Sequence, residues 1–175
     1  MFFKAANKSI DAAIEQITNI TDNTQFDCVR VEVFQKVVTA IHLIADCEER
    51  VRKKLSCDDS EFLKAFLYIN NQLKHDINLE LFYYDVSGSM FPFSFPMRFG
   101  TPGIYWRDFV DNGAKKARGK RKHYEKYLMN KDIEITLRCA KEILDKYSNW
   151  KIRWNITTID FVKLVVGCFS TIDIY

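Results

Sequence analysis

All three prolines of this chain fall between residues 79 and 110, and its whole length holds only six glycines. Proline deletes a helix hydrogen bond and glycine adds backbone freedom, so a chain poor in both outside one window favours long helices. At 175 residues, 47% of them hydrophobic, it is long enough to bury a sizeable core as one domain spanning 1–175.

Periodicity places four helices. Residues 8–20 carry Ile10, Ala13, Ile14 and Ile17 at i, i+3, i+4, i+7. Thr21-Asp-Asn-Thr24 breaks that pattern with capping residues. A second helix is predicted over 26–55, with a stripe of Val31, Phe34, Val38 and Ile41 widened by Val37 and Ile44. Its end is basic (Arg50, Arg52, Lys53, Lys54), which suits the negative end of a helix dipole. Asp58-Asp-Ser60 then caps a helix over 60–78. Phe62, Phe66, Ile69 and Leu73 form its apolar stripe, with Lys64, Tyr68, Asn71 and His75 on another side. The fourth, over 130–148, aligns Ile133, Leu137, Ala140, Leu144 and Tyr147.

Between the third and fourth helices the pattern changes. Residues 79–110 are aromatic, turn-rich and alternating at Phe91, Phe93 and Phe95, which reads as two or three short strands. Pro92 and Pro96 suit strand edges. The aromatics of 82–106 read as a small second core, with some left for an interface. Residues 150–175 are ambiguous between strand and helix. The expected fold is therefore mainly α: an antiparallel four-helix-type bundle with a small β-rich insertion.

Five cysteines without a C-x-x-C pair argue against a disulfide framework or metal cluster and for a reducing cytoplasm. The first residues lack the apolar run of a secretory signal, and Phe161–Phe169 is interrupted by Lys163 and too short to cross a bilayer. The expectation is a cytoplasmic protein with no membrane, metal or cofactor. A net charge of +3 permits an anionic partner without demanding one.

The chemistry concentrates in Tyr68-Ile-Asn-Asn-Gln-Leu-Lys-His-Asp. An imidazole exchanges protons near neutral pH, so His75 suits proton transfer at a hydroxyl. Asn71, one turn away, is placed to orient it, and Lys74 and Asn70 to hold a phosphate or amide. The bland reading is a polar helix end whose side chains bond free carbonyls.

A helix reading F-x-x-x-N-N-x-L-K-H-D after two helices resembles the HEPN superfamily of small α-helical bundles. That family's signature is an Arg, usually followed by a polar residue, and then a His five to seven positions after the Arg. The resemblance implies a homodimer whose paired motifs face each other, in a setting of phage defence or toxin–antitoxin action. It also implies metal-independent RNA cleavage, with the His moving a proton at the ribose 2′-hydroxyl and the Arg holding the phosphate. His75 matches the His and Asn71 the polar follower, but Asn70 stands where the pattern has Arg. Neutral Asn cannot supply the charged fork of Arg. Binding RNA or nucleotide, or scaffolding, is then at least as well supported as cleavage.

Lys115, Lys116, Arg118, Lys120, Arg121 and Lys122 form a basic run suited to phosphate contacts, beside Tyr105, Trp106, Phe109 and Tyr124, which suit base stacking. The competing reading is a solvated loop. Arg118 and His123 repeat the family spacing inside this run, as a chance match in a loop or at a fraying helix start. His42 and Asp46 sit four apart, but two ligands do not make a metal site, and a local hydrogen bond explains the pair. The alternative class is a non-enzymatic protein–protein interaction module that binds a cognate partner through its aromatics, with His75 structural.

Overall fold

The computed structural model describes residues 1–74, 79, 81–84, 102–107 and 121–148. Among them are five α-helices and one two-stranded sheet: α1 (Phe2–Thr18), α2 (Asn23–Val51), α3 (Cys57–Leu73), β1 (Leu81–Tyr84), β2 (Gly103–Trp106), α4 (Arg121–Tyr127) and α5 (Ile133–Ser148). A 3-10 turn, Arg52–Lys54, links α2 to α3. The protein is thus mainly helical with a small antiparallel sheet.

Capping chemistry sets several boundaries. Asp22 accepts from the Gln25 amide at 2.8 Å, and the Gln25 side chain accepts in return from the Thr21 amide at 2.9 Å. This reciprocal cap starts α2 inside the predicted break. Ser56 caps α3 through the Asp59 amide at 3.2 Å, so that helix begins three residues before the predicted Ser60. Asp58 and Asp59 then occupy its first turn, where carboxylates suit the dipole. Asp132 caps α5 through the Ile135 amide at 3.0 Å.

The buried stripe of α1 is Ala6, Ile10, Ala13, Ile14 and Ile17, which extends the predicted face one turn earlier. On α2 the outcome differs. Its sealed positions are Phe26, Val33, Val37, Ala40, Ile41, Ile44 and Cys47, and Val31 is 69% exposed. Val31 stands 200° round the helix from Val33, so it faces away from the side that meets α1 and α3.

Helix α3 departs furthest from its predicted pattern. Leu63, Ala65, Phe66, Leu67, Tyr68, Ile69 and Asn70 are all buried, while Phe62 and Leu73 are half-buried. The cause is α4, which packs on the side left for solvent by the sequence reading. Tyr68 and Tyr124 meet there with ring centres 6.1 Å apart. Of the Arg118/His123 match, Arg118 lies outside the described residues, and His123 falls in the first turn of α4, at a helix start as expected, but buried and 3.9 Å from Glu61 of α3.

The strands pair Leu81 with Trp106 and Tyr84 with Gly103. Trp106 also bonds the chain before α5: its amide donates to Lys131 (3.1 Å) and its carbonyl accepts from Asn130 (2.9 Å). Asn130 turns the chain there at φ 58°, a left-handed conformation Asn tolerates. Leu81, Ile104 and Trp106 point into the cluster that joins all the helices. Pro92, Pro96, the Phe91–Phe95 alternation and residues 150–175 lie outside the described residues.

Candidate functional site

Helices α2 and α3 leave a groove of about 210 Å³ between them. From α3 it is lined by Leu67, Asn70, Asn71 and Lys74; from α2, by Ala45, Asp46 and Glu49. Three of the four residues assigned to the N-N-x-x-K-H pattern therefore share one hollow. His75, the fourth, lies outside the described residues.

Asn70 does not point freely into solvent. It is 4% exposed, and its Oδ1 accepts a hydrogen bond from Nδ1 of His42 on α2. An amide oxygen only accepts, so Nδ1 is the donor in this contact. Nε2 has no partner among the described residues and is not a sealed atom. Nδ2 of Asn70 likewise has no partner among the described residues, and Asn70 is one of the residues that line the groove. His42 thus bonds across to α3 instead of to Asp46, one turn away on its own helix.

The electrostatics are mixed. Asp46 and Glu49 bring two carboxylates, and Lys74 one ammonium. Glu49 keeps a long 3.7 Å contact with Arg52, whose guanidinium is committed to Glu48 by three bonds of 2.9 to 3.3 Å. Glu48 is fully buried, so this fork neutralises a charge that would otherwise be stranded. Among the described residues, no three His, Cys, Asp or Glu side chains are grouped to hold a metal.

The other predicted positions separate. Of the basic run, Lys115, Lys116, Arg118 and Lys120 lie outside the described residues. Arg121 and Lys122 open α4, with Arg121 bonded to Glu125 at 2.7 Å and Lys122 exposed. Two of the proposed stacking aromatics are core. Trp106 and Tyr124 are sealed, the indole N–H donating to Thr136 at 2.9 Å and the phenol to the Arg107 carbonyl at 2.5 Å. Tyr105 stays half-buried, flanked by the Phe82 ring at 5.8 Å and the Tyr84 ring at 6.0 Å. Burial pushes the Cys47 thiol up to about 11, so it is a packing group and not a nucleophile.

The sequence reading missed the His42–Asn70 pair and the sealed Glu48. Glu48 and Arg52 carried a signal, being four apart on one helix. The His42 contact carried none, because its members come from two helices.

Among known proteins, no family model, curated sequence or solved structure matches this chain.

Proposed function

We propose that this chain is a HEPN-like accessory domain: an antiparallel four-helix-type bundle that associates with RNA or nucleotide and binds it instead of cutting it. The observation that carries this reading is the α2–α3 groove, where Asn70, Asn71 and Lys74 of the motif helix gather just before His75. With Asn70 in place of Arg, the described residues that line the groove bring one cation, Lys74, and two carboxylates. That balance disfavours the concentrated phosphate charge of a cleavage transition state. It still allows a bound nucleotide to be met by amides, carboxylates and one ammonium. In this reading the protein is cytoplasmic and homodimeric, of the phage-defence or toxin–antitoxin type, and the 115–122 run adds phosphate contacts without sequence preference.

The test is fluorescence anisotropy of purified full-length chain with a single-stranded RNA at low and moderate salt, run beside an RNA-cleavage assay. Binding that weakens with salt and falls several-fold in Lys74→Ala is expected, with no turnover. Failure to bind RNA or nucleotide even at low salt ends the proposal. If cleavage is seen, equal rates for wild type and His75→Ala remove His75 from the mechanism.

A second reading, the protein–protein interaction module, is favoured by the half-buried Phe82, Tyr105 and Tyr84 rings grouped on the β pair. It predicts that Tyr105→Ala keeps the helical circular-dichroism spectrum and RNA binding but loses a co-purifying protein. Trp106 is no probe of that surface, since it is core.

A further inference from the structure

We draw no further inference here: the strongest candidate, the surface patch where α1 begins and α2 ends, with the exposed Phe2 ring 3.6 Å beneath the Arg50 guanidinium, carries nothing because Asp46 and Glu49 share the last turns of α2 with that cation and nothing in the structure shows what covers it.

Discussion

Replacing Trp106 separates a core role from a binding role. Its side chain is fully buried, its N–H donates to Thr136 at 2.9 Å, and its ring meets Phe66 edge-on with centres 6.2 Å apart. Removing a sealed aromatic down to alanine costs about 3–5 kcal/mol in lost transfer and cavity. Trp106→Phe keeps most of the ring contact but loses the hydrogen bond, worth about 1 kcal/mol, and some volume, so about 2 kcal/mol is expected in all. Thr136 Oγ1 also donates within its own helix turn, to the carbonyls of Asp132 (3.0 Å) and Ile133 (2.9 Å). It is therefore not orphaned, and Trp106→Phe with Thr136→Val should show a coupling of only about 1 kcal/mol. Urea denaturation followed by circular dichroism measures all four species. For a chain of this length each kcal/mol moves Tm by ~2–4 °C, so Trp106→Ala should melt roughly 10 °C lower. A loss below about 1 kcal/mol for Trp106→Ala would refute the placement of this indole as the peg between the β pair, α3 and α5.

Two further outcomes follow from the titrating groups. Burial raises the Asp59 carboxyl, but bonds with Lys146, Tyr147 and Ser56 outweigh that and hold it below its ordinary value. A folded value below the unfolded one gives stability present above about pH 4 and lost as pH falls through the folded value. Asp59→Asn should cost about 1–2 kcal/mol at pH 7 and converge on wild type in strong acid, read from urea melts across pH; a constant gap at all pH would contradict the linkage. For the thiols, Cys28 and Cys57 are exposed, whereas Cys47 is sealed with its thiol raised to about 11. Alkylation followed by mass spectrometry should find Cys47 on the order of 100-fold slower than Cys28 in the native protein, with the difference gone in urea; comparable native rates would place Cys47 at the surface.

What the sequence determined by itself was the set of local patterns: which stretches coil, and much of each outer helix's inward face. Ile10, Ala13, Ile14 and Ile17 on α1, and Ile133, Leu137, Ala140 and Leu144 on α5, are buried as their spacing predicts, because a helix packed on one side needs only one stripe. The rule fails on α3, which meets α2, α4 and α5 and so buries positions around most of its circumference. Tyr68 and Asn70 looked polar-facing because α4, which covers Tyr68, is short and opens at the end of what reads as a basic run. At the candidate site the sequence supplied Asn70, Asn71 and Lys74 as neighbours, since positions three and four apart share a helix face. Tertiary structure alone brought Asp46 and Glu49 opposite them and gave Asn70 to His42, a partner 28 residues away on another helix. Periodicity records which face is greasy; it holds no record of which two helices will lie side by side, or which amide will find which imidazole once they do.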